Sequence, residues 1–132
     1  MDNRFYNESS LTREDYKNYT NPKKFILVAI DGRTVHQKED LLHAMEYGLA
    51  FPGKCKGKIS RLADWLCDLS WYPEDLGICL RIHNYGKFLN QDPVFKQTFE
   101  KLLTEHVFPF WEEDVKTCVK DGKPRKFFVM IS

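Results

Sequence analysis

The residues that could do chemistry cluster between 53 and 71. Lys54, Lys56, Lys58 and Arg61 place four cations between residues 53 and 61 with no acid among them. Asp64 and Asp68 follow, four residues apart. Two carboxylates at that spacing share a helix face and could divide the roles of acid and base, or form an acidic contact strip. No nucleophile or pocket-forming motif accompanies them, so the strip is the better reading, with Arg61 able to balance Asp64. The stretch Gly53 to Gly57, followed by Lys58-Ile59-Ser60, is similar to a phosphate-binding loop. Its glycines stand one residue too close, and Ile59 separates lysine from serine. Cys55, Cys67, Cys79 and Cys118 are spaced 12, 12 and 39 residues apart, without a paired-cysteine motif. Zinc is therefore not expected, nor any other cofactor, and the thiols read as reduced and mostly packed. His83 and His106 read as structural histidines.

These side chains need elements to hold them. Ile59, Leu62, Leu66 and Leu69 fall at spacings of three and four, which predicts an amphipathic helix over 60–71 with Ser60 as its N-cap. Trp65 and Trp71 border its apolar stripe. Phe51-Pro52 and the two glycines make the preceding segment a loop. Residues 24–30, 76–83 and 126–131 are apolar runs of strand length, and the first suits a strand buried on both faces. Residues 38–50 carry Leu41, Leu42, Met45 and Leu49 as a helical stripe. Asp92-Pro93 is a helix start, with the acid as cap and proline in the first turn. Phe95, Phe99, Leu102, Leu103 and His106 share a face of that helix, and Pro109 is expected to end or kink it. Strands separated by helices imply parallel pairing. The expected fold is α/β, a small three-stranded parallel sheet packed with three to four helices. Residues 1–23 read as an N-terminal extension, partly disordered or laid on the surface, and 24–132 as the domain.

Composition narrows the function. With 132 residues, 42% hydrophobic and 30% charged, the chain is of ordinary globular type and can bury a core. A net charge of +1 gives no general argument for nucleic acid. Neither a long apolar run nor a signal-type apolar core is present, so a cytoplasmic protein without membrane contact is expected.

Several stretches, taken in order, resemble the barstar family of ribonuclease inhibitors. They are Ile30-Asp31-Gly32, Asp40-Leu41-Leu42, Phe51-Pro52, Leu62-Ala63-Asp64 with Leu66, Asp68-Leu69-Ser70-Trp71, and the terminal 127–132. The resemblance covers about residues 24–132. It implies a non-enzymatic protein that plugs a ribonuclease active site with an acidic loop and helix. Carried over position by position, the family's loop tyrosine falls near Lys54 and its loop glycine at Gly57. The first helix carboxylate falls at Ser60 with Arg61 beside it. The second is kept as Asp64, and a late-helix acid corresponds to Glu105.

The expected partner-binding set is therefore Lys54, Lys56, Gly57, Lys58, Ser60, Arg61, Asp64, Asp68 and Glu105. The lysines would repel the cationic site of the family's usual nuclease, which points to a partner with an acidic surface. The expected function is an immunity protein that occludes a cognate toxin, a ribonuclease or other nuclease, through the 53–71 loop and helix. Two other classes stand beside it: a regulatory interaction domain of the same fold with no nuclease target, and a nucleic-acid-binding module. The loop has no stacking aromatic among its lysines, which argues against the last.

Overall fold

A computed structural model describes residues 2–132. Its sheet has four strands, all parallel, in the order β1-β4-β3-β2. Strand β2 spans Phe25–Asp31, β3 spans Gly77–His83 and β4 spans Phe127–Ile131. These are the three apolar runs.

The expected sheet of three strands is one short. The fourth, β1 (Phe5–Asn7), comes from the polar N-terminal segment and pairs with β4, Phe5 opposite Val129. Three residues carry too little pattern to stand out in a sequence. Alternation nevertheless serves them: Phe5 packs toward the main core and Tyr6 toward the opposite face.

Helix α2 (Lys38–Gly48) and helix α3 (Ile59–Leu66) lie between β2 and β3 in the chain. A long helical path lies between β3 and β4. It opens as α4 (Pro93–Leu102) and passes through π-type turns at Leu103–Val107 and Phe110–Asp114. It ends as α5 (Val115–Cys118). The main core lies between these helices and one sheet face, where Ile78, Leu80, Phe127 and Val129 are fully buried.

The other sheet face is roofed by α1 (Arg13–Tyr19), whose Tyr16 and Tyr19 pack on Phe25, Cys79, Phe128 and Met130. Tyr19 meets Phe128 edge-on at 4.8 Å and Phe25 at 5.9 Å. Arg81, also on this face, pairs with Glu8 at 2.8 Å and lies over the Tyr16 ring. The roof does not reach the β2 edge. There Leu27 and Ala29 are exposed, so beyond Phe25 strand β2 is buried on one face only, unlike β3 and β4.

Pro109 does not end its helix. A proline in a helix interior removes a hydrogen bond and crowds the preceding turn. Here the backbone widens to π-type turns on both sides of it and the helical path continues. Asp92 caps α4 as expected, its carboxylate accepting from the Phe95 amide at 3.1 Å. Among the described residues, no helix is long and apolar enough to cross a membrane.

Candidate binding face

Helix α3 begins one residue earlier and ends five earlier than its apolar stripe predicts. Lys58, with extended backbone, is its N-cap residue and contributes no side-chain cap. Ser60 is therefore inside the helix with its hydroxyl facing solvent, not at the cap. The helix stops at Leu66 because the chain turns sharply there: Leu69 takes a positive φ of 54°. Leu69 is buried all the same, so the stripe continued in burial but not in helix. The Trp111 indole donates to the Leu66 carbonyl at 2.8 Å and satisfies one of the orphan acceptors at this helix end. Asp68 consequently lies beyond the helix, its carboxylate accepting from the Ser70 amide at 3.3 Å. It does not share a helix face with Asp64.

The loop before α3 is held at several points. Phe51, Trp65 and Trp71 form a triangle of rings with centroids 5.6 to 6.0 Å apart. The Trp71 indole donates to the Leu49 carbonyl at 2.9 Å. Gly53 lies against Trp65 so closely that an added Cβ would stand 2.9 Å from the ring. The Cys55 amide donates to the Glu46 carboxylate of α2 at 2.6 Å. A tight turn follows, closed by the Lys58 amide donating to the Cys55 carbonyl at 3.0 Å. Its central residues Lys56 and Gly57 both have positive φ, 52° and 72°, the pattern of a type I′ turn.

Lys54, Lys56 and Lys58 thus project into solvent from a braced backbone, and Arg61 is exposed on the first turn of α3. None of the ion pairs among the described residues involves these four cations.

Beside the loop, α3 and the α4 path enclose a groove of about 530 Å³. Ile59, Ala63 and Leu102 supply apolar lining, while Ser60, Asp64 and Glu105 bring polar groups into it. Three of the expected contact residues are therefore gathered in one place. Lys54, Lys56 and Gly57 line a separate concavity against α2, and Asp68 borders another near Trp111.

Lys101 and His106 also line the groove, outside the set expected from the sequence. His106, expected on the core-facing stripe of the helix, is exposed instead. The cause is the π-type turn at 103–107, whose wider spacing shifts the helical phase. Leu103 and Val107 turn inward, and Glu105 and His106 turn outward. The signal for this wall was present in the three-and-four spacing of Thr98, Lys101, Leu102 and Glu105.

Cys67 lies in the same groove as His106. Burial and the neighbouring Asp64 and Asp114 carboxylates push its thiol up to about 11, so it is a protonated lining group and not an activated nucleophile.

The arrangement is a fixed cationic loop beside an apolar-lined groove that carries Asp64 and Glu105 together with Lys101 and His106. A family model described as Barstar (barnase inhibitor) matches residues 25–122, most of the chain. The chain belongs to the barstar family. Comparison with curated proteins gives no match. The barstar match begins at β2 and stops before β4, so strand β1, helix α1 and the closing strand lie outside it. The family so described is one of inhibitors, whose function is protein binding and not catalysis.

Proposed function

We propose that this barstar-family chain is an immunity protein that occludes the active site of a cognate toxin, a nuclease, in the cytoplasm of the cell that makes both. The docking face comprises Lys54, Lys56, Gly57, Lys58, Ser60, Arg61, Asp64 and Glu105, with Asp68 at its margin. The observation that carries the reading is the joining of Ser60, Asp64 and Glu105 on one groove beside four exposed cations that form no ion pair among the described residues.

A complementary partner must itself be split in charge. It offers a basic group to the Asp64–Glu105 groove and carboxylates to the lysine loop. A nuclease that carries a cationic phosphate-binding centre inside an acidic rim meets both demands. Inhibition is then steric occlusion, with charge steering close to contact affecting the association rate more than the final affinity.

The test is affinity capture from native lysate with three baits: wild type, Lys54→Glu/Lys56→Glu/Lys58→Glu, and Asp64→Lys/Glu105→Lys. The captured protein is then assayed for nuclease activity with and without added inhibitor. One nuclease, held by wild type, silenced by it and lost by both variants, is the expected result. A captured protein without nuclease activity would replace the immunity reading with that of a regulatory interaction domain.

A further inference from the structure

Strand β2 is an edge of the sheet, since it pairs with β3 alone. Along a paired strand, the amide and carbonyl of successive residues point to opposite sides. The Lys24 carbonyl accepts from the Gly77 amide and the Gly32 amide donates to the His83 carbonyl, both on β3. The even-numbered residues between them therefore face β3, and the odd-numbered ones face outward.

The outward set is bounded at both ends by the chain's own turns. The Phe25 amide donates to the Asn21 carbonyl at 3.0 Å, and the Asp31 carbonyl accepts from the Thr34 amide at 3.0 Å. Between these, the carbonyls of Phe25, Leu27 and Ala29 and the amides of Leu27, Ala29 and Asp31 have no hydrogen-bond partner among the described residues.

Natural sheets blunt such an edge with shortness, a lysine, a proline or a bulge. The opposite edge, β1, has three residues. Strand β2 has seven, with neither charge nor proline from Phe25 to Ile30. Charges stand only at its ends: Lys23 and Lys24 before it, and Asp31, paired with Arg33, at its close. Leu27 is 40% exposed and Ala29 is exposed, so the α1 roof leaves this edge accessible.

We infer that β2 pairs antiparallel with β2 of a second copy about a twofold axis at Val28, joining the two sheets into one. The free groups fix this register. The Leu27 amide meets the second copy's Ala29 carbonyl, the Ala29 amide its Leu27 carbonyl, and the Asp31 amide its Phe25 carbonyl. Every free group is used, and no group already bonded is needed. An axis at Leu27 would set the Ala29 carbonyl against the bonded Phe25 amide. An axis at Ala29 would set the Leu27 amide against the bonded Asp31 carbonyl. The side chains agree with the Val28 axis, because exposed Leu27 comes directly opposite small Ala29. A twofold contact closes on itself, so the product is a dimer and not a filament. It uses no residue of the proposed docking face, and its truth is independent of the immunity reading.

The test is sedimentation velocity of the full chain from micromolar to millimolar concentration, with amide hydrogen exchange over the same range. Wild type is expected to pass from monomer to dimer, and exchange at the Leu27, Ala29 and Asp31 amides to slow as it does. Leu27→Lys/Ala29→Lys sets lysine against lysine in this register and is expected to weaken association about tenfold or more. Leu27→Glu/Ala29→Lys sets opposite charges together and is expected to restore it. Circular dichroism of both variants checks that they fold, and the exchange measurement on wild type needs neither. A wild type that stays monomeric throughout overturns the inference. So does a dimer whose β2 amides exchange as in the monomer, or one that both variants weaken alike or leave unchanged.

Discussion

Glu46 shows how single residues decide what the loop can do. Its carboxylate accepts from the Cys55 amide and so ties the start of the loop to α2. Cys55 itself is fully buried, and burial together with Glu46 pushes its thiol up to about 11. Cys67 is raised similarly, and Cys79 up to about 12, chiefly by burial. Only the thiolate attacks a disulfide reagent. At pH 8 the native protein is therefore expected to release one equivalent of chromophore quickly from such a reagent, from exposed Cys118. The remaining thiols should react only after denaturant is added. Rapid reaction of more than one thiol in the native protein would contradict this packing.

Asp31 gives a pH signature. Hydrogen bonds from the Arg33 side chain and amide, then from Asn84, hold its carboxyl down at about 2, below its ordinary 3.8. A depressed native pKa means that the stabilisation is present above about 4 and is lost as pH falls toward 2. Melting temperature followed from pH 5 to pH 2 should fall more steeply for wild type than for Asp31→Asn. Parallel curves would show that this cluster contributes nothing to the acid limb.

Among the elements, the roof is the one the sequence concealed. Residues 1–23 read as an extension because Tyr6, Tyr16 and Tyr19 are spread among charges. Helix α1 exposes most of its surface and has its tyrosine edge only partly buried. Tyr19 is expected to matter out of proportion to its exposure, since it contacts both Phe25 and Phe128 edge-on. Tyr19→Ala should lower stability by about 2–3 kcal/mol in denaturant titration, from lost burial and ring contact together. A change under about 0.5 kcal/mol, the scale of ordinary surface substitutions, would mean that α1 is only loosely laid on the sheet.

The elements that read correctly carried strong local signals. The apolar runs of β2, β3 and β4, the α2 stripe and the Asp92-Pro93 start of α4 all appear in the structure. The end of α3 was hidden because Leu69 keeps the helical spacing of buried leucines while its backbone takes a left-handed turn. Sequence spacing reports which side chains are buried, not which backbone carries them. The phase shift before Pro109 was hidden for a similar reason. A π-type turn leaves no composition of its own, yet it decides that Glu105 and His106 face the groove.

At the scale of the molecule, net charge says little and its distribution says more. The chain is nearly neutral at +1, but four of its cations crowd the loop while Asp64 and Glu105 share the adjoining groove. Attraction between exposed charges acts over about 8–10 Å at physiological salt, so this pattern guides a partner only near contact. The proposed binding face and the α1 roof involve different elements of the molecule. The most direct measurement is amide hydrogen exchange of the full chain, alone and with the captured nuclease in excess. Slowed exchange confined to residues 53–67 and 98–106 is the predicted result. Protection centred instead on α1 and the exposed edge at Leu27 and Ala29, with the loop and groove unchanged, would contradict the account.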